Sequence, residues 1–336
     1  MNLVTGATGL VGSWLLLELS KRGKPVRAMK RNGSSVEPVK NLFLEFLDLE
    51  HFEKIEWIDA DLLDLPSLSN AVKGVETIYH TAAKVGFDPR YRKKIYRTNV
   101  YGTENLINTA AELSVSNFLL VSSISTLDAE AGNQTIDENS KWNPELPHSD
   151  YAISKRRAEM EVYRTSEETG MNICIVNPSV IIGSLNSRRS SESLFERAFR
   201  KSGLTTEGIT GFVDVRDVAF CLAELAEKEI WNQKFILNSE DLKFSEVFDL
   251  IRKNQNLKKM TVLSNAQLKL IKNLSKLSLM FGGPGITNAA YSALTGKSNY
   301  SNRKIMDVLD FKFISVKDSI EFHSERYLRL KSKNSN

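Results

Sequence analysis

Thr5-Gly6-Ala7-Thr8-Gly9-Leu10-Val11-Gly12 follows the apolar stub Leu3-Val4 and runs into a helical pattern over residues 11–22. Glycines at this spacing let a backbone turn tightly and approach a pyrophosphate, and a helix that starts there offers unpaired N–H groups to the anion. A bare structural turn would look similar. The place of the loop between a strand and a helix is what points to a dinucleotide. Gly6, Thr8, Gly9, Leu10, Val11 and Gly12 are therefore expected cofactor contacts. Outward from this loop, short apolar runs at 26–29, 55–58, 77–79, 118–121 and 173–176 alternate with helical patterns, the longest over 90–113 and 151–169. Apolar strands without polar alternation, separated by helices, predict an α/β fold with a parallel sheet covered on both faces.

The pattern changes after Gly183. Residues 184–193 are polar and basic, and helices then dominate, with brief strands such as 234–237. Residues 1–183 read as the dinucleotide-binding domain and 184–330 as a smaller, mainly helical substrate-binding region, too interrupted for an independent core. The substrate cleft is expected between them, lined from 84–88, 184–199 and the C-terminal third. Residues 213–227 read as returning to the first domain, and 331–336 as a frayed tail.

Bulk properties narrow the function. The 336 residues are 41% apolar and 26% charged, with a formal charge of +4 and dispersed basic residues, which gives no reason to invoke nucleic acid. Cys174 and Cys221 stand far apart, so neither a disulfide framework nor a metal site is expected. The residues before the glycine loop leave no room for a charged leader, and no run approaches the ~20 apolar residues of a membrane span. A cytoplasmic protein is expected. Residues 265–281 are basic and amphipathic, with Leu268, Ile271, Leu274 and Leu277 on one face; the favoured reading is a helix over the substrate cleft rather than one lying on a membrane.

The second strand ends in Lys30 and Arg31, where an NAD-preferring fold carries an acidic residue for the adenine-side ribose. A dianionic phosphate would be repelled by a carboxylate and held by a guanidinium fork. This favours NADP(H) over NAD(H), with Arg31 the lead contact and Lys30 second. Asp61-Leu62, past the third strand, is placed to meet the adenine, although Asp61 could equally cap the next helix. Ala82-Ala83-Lys84 follows the fourth strand, where small residues let the chain pass close to the ribose. His80 reads as structural.

Tyr151 and Lys155 lie one turn apart on a helix. Reduction of a carbonyl leaves a developing alkoxide that needs a proton, and an ammonium beside a phenol helps to make it an acid–base group. Lys155 is also expected to bond the nicotinamide ribose hydroxyls, so Tyr151 and Lys155 count among the expected cofactor contacts as well. Two further pairs at this spacing, Tyr300 with Lys304 and Tyr327 with Lys331, lack the surrounding strands and read as coincidence. Ser123, at the end of the fifth strand, is expected to orient the substrate carbonyl, with Ser125 or Thr126 in support. Asn99 is expected either to bond backbone near the site or to satisfy helix packing. Pro178 and Val180 are expected near the nicotinamide.

The glycine loop, Asp61-Leu62, His80 to Ala83, Asn99 with Gly102-Thr103, Ser122-Ser123, Tyr151 with Lys155, Pro178 and residues 212–219 together resemble the extended short-chain dehydrogenases/reductases, the NAD-dependent epimerase/dehydratase family. Gly12-Ser13-Trp14-Leu15 with Val26-Arg27-Ala28 and Arg31 is similar to the dihydroflavonol-reductase and 3β-hydroxysteroid-dehydrogenase-like branch. The resemblance implies a Rossmann-type doubly wound sheet and a Ser123–Tyr151–Lys155 triad. It also implies a homodimer through helices 90–113 and 151–169. The expected function is NADPH-dependent interconversion of a carbonyl and an alcohol on a small molecule. A nucleotide-sugar epimerase with retained NAD(P) is the alternative, since Asn177 replaces the usual Arg before Pro178. A non-catalytic NADP-binding protein is a third reading, weakened by the retained Tyr and Lys.

Overall fold

The computed structural model describes all residues except 87, 131–134, 186–192, 201–202, 281–284 and 334–336. The apolar runs form β1 (Asn2–Thr5), β2 (Val26–Lys30), β3 (Glu56–Asp59), β4 (Thr77–His80), β5 (Asn117–Val121), β6 (Asn172–Pro178) and β7 (Gln233–Leu237). They pair in parallel throughout, in the order β7-β6-β5-β4-β1-β2-β3. The chain enters at the centre, winds out to β3, then crosses back to β4, so the topological switch point falls between β1 and β4. Ligands of open α/β sheets bind at that crevice. The strand 233–237, placed by the sequence reading in the C-terminal region, is the edge of this sheet. Its register against β6 pairs Phe235 with Val176 and Leu237 with Pro178.

Helix α1 (Leu10–Lys21) buries Trp14, Leu15, Leu16, Leu17 and Leu19. At its end Arg22 reaches Glu224 and Glu227, at 2.7 and 2.6 Å, on α4 (Val215–Glu227). The helix expected over 90–113 is a composite. A short turn at Arg92–Tyr96 and a π-helical turn at Arg97–Tyr101 lead into α2 (Gly102–Glu112). The widened turn carries Asn99, whose amide closes a pair of bonds with the Lys84 backbone, at 2.7 and 3.0 Å. Such π turns recur at functional sites. Helix α3 (Asp150–Thr169) starts where Ser149 accepts from the Ala152 N–H and ends at Gly170, whose φ of +74° suits a left-handed cap.

Beyond β6, the strands Val180–Ile182, Ile209–Asp214 and Glu240–Lys243 form a three-stranded sheet. Helices including α5 (Asn265–Met280) and α6 (Val316–Lys333) follow. These pieces gather Ile182, Phe195, Phe212, Phe248, Ile251 and Ile320 into a core of their own, contrary to expectation. Short elements far apart in sequence supply it, so no single window of sequence displays it. Residues 331–333, read as tail, continue α6.

Helix α6 is tied back to the first half by buried polar contacts. His323 faces Asp214 at 3.4 Å and Ser184 at 3.0 Å, while Arg326 bonds Glu45 at 2.9 Å and the Ser184 carbonyl. Asp217 lies beside this network and accepts from the Ile314 N–H at 2.9 Å. Burial, helped by the charge of Asp214, pushes its carboxyl up to about 7. The folded value lies above the unfolded one of about 4, so the folded chain holds this proton more tightly between those limits. The resulting stability is fully present below about pH 4 and is lost as pH rises through about 7. Asp217→Asn keeps an acceptor for Ile314 and is expected to raise stability by about 1–3 kcal/mol at about pH 8. Most of that gain should vanish near pH 4, as read by thermal unfolding at both values; an equal gain at both would contradict the assignment.

Candidate active site

One cleft of about 1800 Å³ runs along the carboxyl ends of the strands. Every residue expected at the cofactor lines it: Gly6, Thr8, Gly9, Leu10, Val11, Gly12, Lys30, Arg31, Asp61, Leu62, Ala82, Ala83, Lys84, Pro178 and Val180. So do Ser123, Tyr151 and Lys155. The glycine loop is a tight cradle. Gly6 has φ +67°, and a Cβ there would meet the Ala82 backbone at 2.8 Å; a Cβ on Gly12 would meet the Gly6 carbonyl oxygen at 2.4 Å. Gly9 starts α1 without a side-chain cap, so the first-turn N–H groups lack a capping acceptor. That combination of close backbone and unsatisfied donors fits a pyrophosphate.

At the far end of the cradle the two cations differ. Lys30 is engaged by Asp59 across β2 and β3, whereas among the described residues Arg31 has no ion-pair partner. Ser34, in the turn closed by its N–H on the Arg31 carbonyl at 2.9 Å, also lines the cleft and was missed from sequence. Asp61 accepts from the Leu63 N–H at 2.9 Å, and the helix cap beyond it is Asp64. His80 is buried between Thr5 and Thr103, at 2.7 and 2.9 Å, and burial pushes its imidazole down to about 3. It is a neutral structural group, as expected.

The Tyr151 phenol hydrogen-bonds to Ser123. Burial pushes it up to about 12, with the Ser123 bond pulling the other way. Lys155 is 1% exposed and donates to the Val121 carbonyl at 2.6 Å. Burial pushes its ammonium down to about 8, against the nearby charge of Glu159. The carbonyl that holds Lys155 belongs to the strand end that presents Ser123. Ser125 donates to Ser123 Oγ at 3.0 Å, while Thr126 turns into the interior. Asn99 takes the first of its two expected roles, bonding the Lys84 backbone, and adds Ser154 Oγ at 2.9 Å.

Beneath the triad sits a buried carboxylate that the sequence reading passed over. Glu159 is fully buried on α3 and accepts from Ser122 Oγ at 2.5 Å, Thr126 Oγ1 at 2.8 Å and Asn177 Nδ2 at 2.8 Å. Asn177 thus points under the sheet, also donating to the Ser123 carbonyl at 3.0 Å, and is absent from the cleft wall among the described residues. Spacing could have found Glu159: it continues Tyr151 and Lys155 at four-residue intervals on one helix face.

The substrate side was the least legible. Asp128, His148, Thr210, Ser298 and Tyr300 line it, with Leu268 and Ile271 of α5. Tyr300 therefore enters the cleft, yet its Lys304 bonds the Lys234 carbonyl at 3.0 Å instead, so that pair is not a second catalytic dyad. Tyr327 packs against Phe195 and Phe199. Along α5, Leu268 is buried, while Leu270 and Leu274 are 60% and 66% exposed. The Leu277 side chain lies outside the described residues. Among the described residues no helix is long and apolar enough to cross a membrane.

Residues 2–235 match the model of the NAD dependent epimerase/dehydratase family. The chain is 29% identical over 259 residues to cinnamoyl-CoA reductase 1 of Petunia hybrida, covering 74% of this chain and 76% of that protein. It is 29% identical over 250 residues to sterol demethylase protein B of Methylococcus capsulatus, covering 73% and 72%. Among solved structures, gox2253 superposes with a TM-score of 0.83 at 26% identity, covering 99% of both chains.

Proposed function

The chain belongs to the NAD-dependent epimerase/dehydratase family, and from that premise we propose that it is an NADPH-dependent reductase. Its reaction would interconvert a carbonyl and an alcohol on a small organic substrate. The observation that carries this reading is the shared cleft: the Ser123–Tyr151 hydroxyl pair and buried Lys155 open onto the same space as the glycine cradle. The names of the relatives, a cinnamoyl-CoA reductase and a sterol demethylase protein, support carbonyl or alcohol redox chemistry.

A bound NADPH would supply hydride to the carbonyl carbon. The protein's own groups do the rest. Ser123 Oγ–H donates to the carbonyl oxygen and fixes its direction. Tyr151, protonated at neutral pH because its phenol is held near 12, passes its proton to the alkoxide as that charge develops. Lys155, one turn along α3, keeps positive charge in the site and anchors the end of β5. The Leu268 and Ile271 side chains line the substrate end and give it an apolar wall.

NADPH is preferred over NADH in this reading because Arg31 has no ion-pair partner among the described residues and no acidic residue directly follows β2. Arg31→Ala is expected to weaken NADPH binding about 10–100-fold, the range of one or two hydrogen bonds to a phosphate. NADH binding should change little. Titration of both cofactors against both proteins checks it, and equal losses would remove Arg31 from the 2′-phosphate. The epimerase alternative rested on Asn177 standing in place of the usual Arg, and Asn177 is committed to Glu159 beneath the sheet. A panel of ketones, aldehydes, sterols and nucleotide sugars, assayed by NADPH oxidation and by alcohol-driven NADP⁺ reduction, tests the reductase reading. Sugar interconversion with tightly retained NAD and no net cofactor turnover would replace it. The exposed Tyr101, Met160 and Tyr163 around α2 and α3 fit a face on which a second copy packs, and a monomer in sedimentation would contradict that.

A further inference from the structure

Asp128 and His148 form a dyad in the wall of the cleft that the proposed chemistry does not use. His148 lies three residues before Tyr151, just ahead of the Ser149 cap of α3, and Asp128 lies five residues after Ser123. The imidazole Nε2 is 3.1 Å from each carboxylate oxygen. The indole of Trp142 stacks on the same ring, centroids 3.5 Å apart at 22°. The carboxylate is fixed in turn by the Asn143 N–H at 2.7 Å. The histidine and aspartate side chains are 9% and 13% exposed. His148 also borders a side cavity of about 220 Å³ lined by Asp88, Asp150 and Asn288, so the ring stands as a partition at the substrate end.

An ionised carboxylate only accepts hydrogen bonds, so Nε2 must carry the proton. In the neutral imidazole this leaves Nδ1 with the lone pair, and among the described residues Nδ1 has no hydrogen-bond partner. A ring held by a carboxylate on its edge and an indole on its face cannot turn away. We propose that His148, oriented by Asp128 and Trp142, is a specificity-determining residue that accepts a hydrogen bond from a hydroxyl carried by the substrate near its reacting carbonyl. The substrate class is then hydroxylated carbonyl compounds rather than plain ketones or aldehydes. This deepens the reductase reading and rests on it.

The test uses carbonyl probes in which one hydroxyl is exchanged for a methyl: phenacyl alcohol with propiophenone, and hydroxyacetone with butanone. For each probe, kcat/KM is read from NADPH oxidation, and binding to the NADPH complex from saturation-transfer NMR. The wild-type chain should favour the hydroxylated member by about tenfold, the scale of one hydrogen bond in a partly exposed site. His148→Ala should collapse that ratio, with the difference in KM rather than in kcat. Asp128→Asn is the sharper variant. Its amide oxygen can keep the Asn143 N–H while its NH₂ competes for Nε2, which shifts the proton toward Nδ1 and depletes the lone pair without changing the shape. It should weaken the preference relative to the wild-type chain. A ratio that persists at the wild-type value in either variant, or a wild-type chain that does not discriminate in turnover or binding, overturns the proposal. Tyr151→Phe separates the two claims. A wild-type chain that oxidises NADPH with no carbonyl sinks the reductase reading, and undiminished turnover in Tyr151→Phe removes that residue from the proton transfer, whereas a hydroxyl preference in binding stands or falls independently of both.

Discussion

Tyr151→Phe is expected to lower kcat about 10²–10⁴-fold while NADPH affinity stays near the wild-type value. The expectation follows from what the substitution removes and what it leaves. The ring is kept, so the packing of α3 against the cleft persists, and the cradle from Gly6 to Gly12 keeps its own backbone geometry. Only the phenol oxygen goes, and with it the bond to Ser123 and the one neutral acid aimed into the cleft from this helix. Burial holds the phenol near 12, so below that pH it is protonated, the form that reduction needs. The wild-type rate in that direction should therefore be flat through neutral pH. It should fall above about 8, where Lys155 loses its charge. A phenylalanine variant with an unchanged kcat would assign the proton to another group, and a shared loss of cofactor binding would mean that the substitution had damaged the cradle. Stopped-flow reduction of the best substrate in the panel, beside a cofactor titration, reads both quantities.

Legibility in the sequence followed the range of the interactions. The glycine loop, the strand ends at Ser123 and Pro178, and the Tyr151–Lys155 turn are local patterns whose physics fits within one element. Those residues all meet at the one cleft. The π turn at Arg97–Tyr101 escaped because the bond that occupies Asn99 comes from Lys84, on a different segment. Strand β7 was visible as a strand but not as part of the main sheet, since only its register against β6 assigns it there. Asp128 and His148 are twenty positions apart with a turn and Trp142 between them, and no periodicity joins them. Glu159 was legible by a local rule as well. A charged residue at the third step of an inward-facing stripe is a buried charge, and a buried charge must have partners.

Those partners make Glu159→Ala the substitution with the largest expected effect on stability, about 3–5 kcal/mol, read as a shift in denaturant midpoint. Removing the carboxylate strands Ser122 Oγ and leaves Thr126 Oγ1 and Asn177 Nδ2 with only the Ser123 carbonyl between them, in a site that water does not reach, and it unpairs Arg156 from Glu159. Each lost partner of a buried donor costs about 1–3 kcal/mol before relaxation. The damage is also functional in a defined way. Ser122 and Thr126 bracket Ser123, so the carboxylate clamps the strand end from below and fixes the direction of the hydroxyl without touching substrate. Glu159→Gln keeps one acceptor oxygen in the same volume and removes the charge, so it should fold with a smaller loss of about 1–2 kcal/mol. The Gln variant separates positioning from electrostatics. The charge of Glu159 raises the Lys155 ammonium against its burial, and without that charge Lys155 gives up its proton at lower pH. The alkaline fall in reductase activity should then move to lower pH in Glu159→Gln, a displacement that loss of packing alone would not produce. An alkaline limb at the wild-type position, in a variant that folds, would show that Lys155 does not feel this carboxylate and would confine Glu159 to holding β5 in place.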